Sequence, residues 1–231
     1  MLQLKGKKIK LFFYIFILML LSTINMSFNK TQNYSIISIK KINVGGLSDL
    51  NNLKIEKSLN SLLLKNIFFV KKKKIAEILD INNLIESFHI RKVYPDILSV
   101  KINKADFLAI VNQGTNKMII ASNGKLVSLN DVDFLPQKLP FVFGKVSNEY
   151  FINFKKIIDD SKFDYKEIEE FYFHPSNRID IKTKGGFLIK LPFKNLSEAL
   201  RLASLIKKDD KFKNNKILDL RIANHIITSN E

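Results

Sequence analysis

The chain has 231 residues, 46% hydrophobic and 26% charged, with no cysteine and no tryptophan. Such a length makes one large domain or two small ones and buries a core unaided, and the missing cysteine excludes a thiolate zinc site, a cysteine nucleophile and a disulfide framework. The net charge of +16 rests on 34 lysines and only four arginines, which reads as the drift of an A/T-rich genome rather than as the arginine-rich footprint of a nucleic-acid binder.

Lys5, Lys7, Lys8 and Lys10 stand before an unbroken apolar run, Leu11 to Leu21, which Ser22 to Phe28 continues with small polar interruptions. As a helix, Ile9 to Phe28 covers roughly 30 Å, the thickness of a bilayer core. The lysines favour a cytoplasmic N-terminus. The expected arrangement is therefore a tail over 1–10 and a transmembrane helix over 11–28, with the rest outside the cytoplasm. A cleaved signal peptide is the alternative, although no small-x-small motif follows Leu21.

Next, Ile37, Ile39 and Val44 lie in a β-rich stretch that stops at Gly45-Gly46. Ile55, Leu59, Leu62 and Leu63 fall at i, i+4, i+7 and i+8, the buried stripe of an amphipathic helix. Ile75, Ile78 and Leu79 repeat the spacing in a shorter helix behind the basic run Lys71 to Lys74. Ile85 to Val93 and Ile97 to Ile102 alternate as strands around the turn Tyr94-Pro95-Asp96. The order β-α-α-β-β predicts a small two-layer α/β domain over 36–105.

A β domain is expected over 106–228. Leu108 to Asn112, Met118 to Ala121 and Lys125 to Leu129 read as strands, the last two joined at Ser122-Asn123-Gly124. A short helix carries Phe151, Phe154 and Ile158. Ile168 to His174, Arg178 to Thr183 and Phe187 to Leu191 then form an antiparallel meander. Asn195-Leu196-Ser197-Glu198 resembles a capping box opening a helix that buries Leu196, Ala199, Leu200, Ala203 and Ile206. Ile217 to Ile222 and His225 to Thr228 close the chain as a final strand or a bent pair. The fold class expected is α+β: a transmembrane helix, the β-α-α-β-β domain, and an antiparallel-sheet β domain with flanking helices.

Several of these strings, in order, resemble the FtsQ/DivIB family of bacterial cell-division proteins. Ile90-Arg91-Lys92-Val93-Tyr94-Pro95-Asp96-Ile97-Leu98-Ser99-Val100-Lys101-Ile102 is similar to the hairpin closing that family's POTRA domain, and Ile42-Asn43-Val44-Gly45-Gly46 to its opening strand and turn. Gly186-Phe187-Leu188-Ile189-Lys190-Leu191-Pro192 and Leu218-Asp219-Leu220-Arg221 are similar to strings in its β domain. After the hairpin, Asn103-Lys104-Ala105-Asp106-Phe107-Leu108-Ala109 departs from the family's Glu-Arg-x-x-Pro-x-Ala run and keeps only the final alanine.

Chemistry finds no foothold in the sequence. The three histidines, His89, His174 and His225, sit in or beside strands, and no phosphate-cradling glycine loop or nucleophile motif is present. Asp131-Val132-Asp133 could place two carboxylates on one strand face but reads as a solvated loop before Leu135-Pro136. Asp159-Asp160 and Asp209-Asp210 read as solvent-facing. No catalytic residue, metal site or cofactor is expected. Lys71 to Lys74 is either a contact for anionic lipid headgroups or a solvated lead-in to the following helix.

Recognition through backbone is what remains. A closing strand at a sheet edge offers unpaired N–H and C=O groups to an incoming segment, unless it is interior. The candidate is Ile222 to Thr228. The resemblance implies partners of the FtsB/FtsL type, bound by strand addition at the terminal strand and the preceding helix. Carried onto this chain, Arg221 is a charge partner and Ile222, Ile226 and Thr228 supply side-chain contacts, with His225 in the same segment and Arg201 on the helix as a second charge. In the first domain, Ile97 to Ile102 is a second candidate edge. The resemblance further implies a single-pass protein of the inner membrane at the division septum, with no enzymatic activity. The alternative is a POTRA-type polypeptide-binding protein of envelope biogenesis or secretion, against which the chain shows neither repeated modules nor a lipid-facing barrel.

Overall fold

The computed structural model describes residues 4–26, 37–114, 116–132, 138–212, 216–222 and 225–229. Helix α1 (Leu4–Met26) begins inside the stretch expected to be a tail. Its described apolar side chains, from Ile9 to Leu21, are all exposed. Among the described residues no helix is long and apolar enough to cross a membrane. Residues 27 and 28 of the expected span lie outside the described ones.

Strand β1 (Lys41–Gly45), helices α2 (Asp49–Leu59) and α3 (Lys72–Leu79), and strands β2 (Ile85–Val93) and β3 (Ile97–Lys104) make the first folded unit. The periodicity worked here because each stripe has a partner. Ile55 and Leu59 of α2, Leu62 of the 3-10 turn after it, and Ile75 and Leu79 of α3 are buried against Ile42, Leu98, Val100 and Ile102 of the sheet. Strand order is β1-β3-β2, with β1 parallel and β2 antiparallel to β3. This corrects one expectation. Ile97 to Ile102 belongs to the central strand, its backbone groups already engaged on both sides, so it is no edge.

The second unit runs β4 (Phe107–Gln113), β5 (Asn116–Ala121), β6 (Leu126–Ser128), β7 (Phe141–Gly144), α4 (Asn148–Asp160), β8 (Ile168–Phe173), β9 (Ile179–Thr183), β10 (Leu188–Leu191), α5 (Leu196–Lys208), β11 (Ile217–Asp219) and β12 (Ile227–Ser229). Its described strands form one nine-stranded sheet, ordered β12-β11-β10-β9-β8-β7-β4-β5-β6. The sheet is mixed, not antiparallel as expected: β4–β7, β7–β8 and β10–β11 are parallel. Parallel neighbours need a crossover: α4 supplies it between β7 and β8, α5 between β10 and β11, and the chain from β4 returns to β7 by way of β5 and β6. The overlooked strand is β7, four residues ending in glycine, too short to show alternation.

Both helices cover one face of this sheet. Phe151 and Phe154 of α4 and Phe171 of β8 are fully buried, and Phe151 meets Phe171 edge-on at 5.4 Å between ring centroids, a geometry worth about 1 kcal/mol beyond area burial. Ser147 caps α4, its hydroxyl accepting from Tyr150 N at 3.2 Å. The expected capping box on α5 does not form. Asn195 sits in the left-handed region (φ 59°) and its side chain caps nothing, whereas a capping side chain requires an extended residue at that position. A small shared core, with Leu84 from the first unit against Ile119, Ala121 and Val127 from the second, joins the two units.

Candidate partner-docking edge

The closing segment builds its edge from the alternation of β11. Leu188 N donates to Lys216 O (2.7 Å) and Leu220 N to Lys190 O (2.9 Å), so Leu218 between them faces β10, while Lys216 N, just before the strand, donates to Ser229 O (2.8 Å). Ile217 and Asp219 therefore face β12, where their partners are Ser229 and Ile227. Because backbone groups alternate along a strand, Thr228 between them turns its N–H and C=O away from β11, to the side on which no described strand lies. The candidate strand is thus shorter than expected and shifted, Ile227–Ser229 rather than 222–228. Ile222 and His225 belong to the reversal between β11 and β12, where His225 N donates to Ile222 O at 3.2 Å. Ala223 and Asn224 lie outside the described residues.

Beside this edge lies a groove of about 680 Å³ between the start of α5 and the β11–β12 reversal, lined among others by Phe193, Glu198, Leu202, Arg221, Ile222 and Ile226. Phe193, Ile222 and Ile226 are exposed, so the groove presents apolar surface to solvent next to open backbone. Four of the six expected contact residues, Arg221, Ile222, His225 and Ile226, line it. Thr228 stands on the adjacent strand. Arg201 is exposed on α5, outside the groove, while its neighbour Leu202 lines it.

Arg221 is already engaged. Its Nε donates to Asp219 Oδ1 at 2.8 Å and Oδ2 at 3.0 Å, its Nη2 also meets Oδ2, and its backbone N donates to Oδ1 at 3.1 Å. These donors hold the Asp219 carboxyl below its ordinary value, against a smaller opposing effect of burial. Sequence reasoning missed Phe193, Glu198 and Leu202. The available signal was Pro192-Phe193, a large apolar residue stranded between a strand end and a lysine. Elsewhere, Asp131 is exposed with Lys54 3.6 Å from its carboxylate, and Asp133 lies outside the described residues.

Two family models match the chain in tandem: the POTRA domain, FtsQ-type, over residues 37–104, and the C-terminal region of the cell division protein FtsQ/DivIB over 109–221. The chain belongs to the FtsQ/DivIB family. The FtsQ/DivIB C-terminal match reaches Arg221 and so takes in β11 and one wall of the groove, with β12 beyond its end. Cell division protein FtsQ of Rhizobium radiobacter is 26% identical over 141 residues, 60% of this chain and 66% of its own length. That of Agrobacterium fabrum is 26% identical over the same length of match, which is 44% of that protein. FtsQ of Rickettsia bellii is 26% identical over 188 residues, 80% of this chain and 70% of its own length. The solved major extracytoplasmic domain of the cell division protein DivIB from Geobacillus stearothermophilus overlaps 47% of this chain and 99% of that one at 12% identity and a TM-score of 0.33, too loosely to bear on the fold.

Proposed function

We propose that this FtsQ/DivIB chain is a non-enzymatic, single-pass scaffold of the bacterial divisome. It is held in the inner membrane by α1 with its N-terminus in the cytoplasm, and it joins division proteins of the FtsB/FtsL type at the septum by accepting a partner strand along β12. The observation that carries the reading is the position of β12: last in the sheet, with Thr228 turned outward beside an exposed apolar groove. An incoming strand would pair with Thr228 and seat alternate side chains against Ile222 and Ile226. Arg221, held by Asp219 in the free chain, and Arg201 would supply charge at the rim. The anchoring role is supported by the run Leu11 to Leu21 within α1, since a stretch apolar on every side is stable only inside a core or in lipid, and its side chains are exposed rather than packed.

Truncation after Leu220 tests the docking. It removes β12 and the reversal while leaving the POTRA core of Leu59, Leu98 and Val100 untouched. The expected result is loss of capture of the FtsB-type partner by a membrane-inserted, folded protein; undiminished capture would sink the proposal.

A further inference from the structure

The loop between α2 and α3 carries a surface that strand addition at β12 does not use. Ile67 and Val70 are buried and pin the loop at both ends. Between them Phe68 and Phe69 are turned out, 53% and 81% exposed, and Leu64 just before is 75% exposed. None of this is slack chain. Phe68 N donates to Asn66 Oδ1 (2.9 Å), Lys92 Nζ donates to Phe68 O (3.2 Å), and the Phe68 ring stacks on Tyr94 at 4.9 Å. Leu64 is held in the left-handed region at φ 63°, a conformation costly for leucine that persists only where surroundings impose it; its N–H donates to Ile39 O at 3.0 Å.

Within the loop's own sequence the charge is of one sign, and the carboxylate that the fold brings beside it, Asp96, is paired with Lys40 at 3.6 Å. No Asp or Glu occurs between residues 57 and 76, a stretch that holds Lys57, Lys65 and Lys71 to Lys74. Lys72, Lys73 and Lys74 occupy the first turn of α3 with no acidic residue and no side-chain cap. Cations at a helix N-terminus meet the positive end of the helix dipole, so the arrangement opposes local stability and calls for an anion from outside. The nearby charge of Lys74 lowers the pKa of Lys65, which expresses the same repulsion.

We propose that this loop is a second membrane contact, in which Leu64, Phe68 and Phe69 enter the headgroup boundary of an anionic bilayer and the surrounding lysines pair with lipid phosphates. Apolar tips ringed by lysine need an apolar phase and a layer of phosphates together, which a bilayer surface supplies and an acidic protein or glycan supplies only in part. Connectivity points the same way. Ile39 N donates to Lys65 O (2.9 Å), Ile67 N donates to Ile37 O (3.1 Å), and Ser38 bridges Asn66, so the loop is tied to the segment arriving from α1. Ten residues separate Met26 from Ile37, a reach of at most about 40 Å. The inference rests on the anchoring role proposed above for α1.

The chain has no tryptophan, so Phe69→Trp gives a single fluorescent reporter at an exposed position. The full-length variant is reconstituted into vesicles of phosphatidylcholine with an equal part of phosphatidylglycerol, acyl chains brominated, and into phosphatidylcholine alone. In the anionic vesicles the emission should shift to the blue and be quenched by about twofold or more. The quenching should fall away in neutral vesicles and when Lys71 to Lys74 are replaced by glutamine. Phe68→Trp repeats the measurement if the first variant misfolds. Leu18→Trp reads the anchor separately and should be quenched in both lipids. Water-exposed, unquenched emission from Phe69→Trp beside a quenched Leu18→Trp overturns the inference alone, as it would if the loop captured an acidic protein or glycan instead. Equal quenching in neutral vesicles overturns the role of the lysines. Unquenched Leu18→Trp overturns the anchor.

Discussion

Gly46 and Gly144 do the same work in the two units. Each follows or ends a strand at positive φ, 119° and 92°, and at each a Cβ would fall 1.9 Å from a carbonyl oxygen of a neighbouring strand, that of Ile102 and of Phe173 respectively. Both the backbone conformation and the contact exclude a side chain. Gly144→Ala is expected to lower stability by about 2 kcal/mol or more. Gly114→Ala, at φ 64° with nothing within 4 Å, should cost only about 1 kcal/mol. Urea denaturation of the two variants in detergent micelles checks the difference. Asp219 and Arg221 make the residue-scale case in electrostatics. A carboxyl whose folded pKa is depressed contributes stability that is present above its unfolded value and lost as pH falls through the folded one. The β11–β12 pair should therefore hold at mildly acidic pH and loosen only below the ordinary aspartate range. Arg221→Ala should raise the Asp219 pKa back toward 3.8; a carboxyl titration followed by NMR that stays in place on substitution would refute the cause.

At the scale of elements, the orientation of β12 makes a sharper test than truncation. Proline removes an N–H and is tolerated only where that N–H faces away from the ladder. Thr228→Pro deletes the outward donor and leaves β11–β12 pairing intact, so partner affinity should fall by about tenfold or more without loss of the domain's melting transition. Ile227→Pro deletes a donor that faces Asp219 and should release β12 altogether. Calorimetric titration giving unchanged affinity for Thr228→Pro would show that the partner does not use this edge. The elements themselves were legible wherever a stripe met a partner: Ile55 and Leu59 in α2, Phe151, Phe154 and Ile158 in α4, the β2–β3 hairpin. What was not legible depended on distant chain. Whether β3 is an edge is decided by β1, more than fifty residues earlier, and whether β10 and β11 run parallel is decided by α5 crossing between them. The four residues of β7 carry too little pattern to announce a strand that lies between β4 and β8. The register of the closing strand was not legible either, since that is set by which residues of β11 face β10.

Strand order fixes the geometry of the whole molecule. The junction between units lies at the β6 end of the nine-stranded sheet, where Val127 joins the shared core, and the candidate edge β12 lies at the other end, about 38 Å away at the usual strand spacing. Side-chain hydrogen bonds, most of them from asparagines, tie the two units together at the junction. Asn123 Nδ2 donates to Asn83 O (3.0 Å) and Ile85 O (2.8 Å), Asn83 Nδ2 donates to Leu126 O (2.8 Å), Ser122 Oγ donates to Glu86 Oε2 (2.7 Å) and Lys125 Nζ donates to Asp80 O (2.5 Å). Most of these read backbone carbonyls, so they tie strand positions rather than mobile side-chain ends. At about 1 kcal/mol net for each bond, Asn83→Ala with Asn123→Ala should weaken the junction by about 3 kcal/mol while leaving both helical cores whole. The expected signature is local. Amides at the junction, notably Ala105, whose N–H donates to Leu84 O at 2.9 Å, should exchange faster with deuterium, and unfolding should separate into two transitions where the parent chain is expected to show one. Exchange at Ala105 unchanged in the double variant would mean that the apolar contacts of Leu84 and the remaining bonds of Ser122 and Lys125 hold the units together, and the asparagines would lose the role assigned to them.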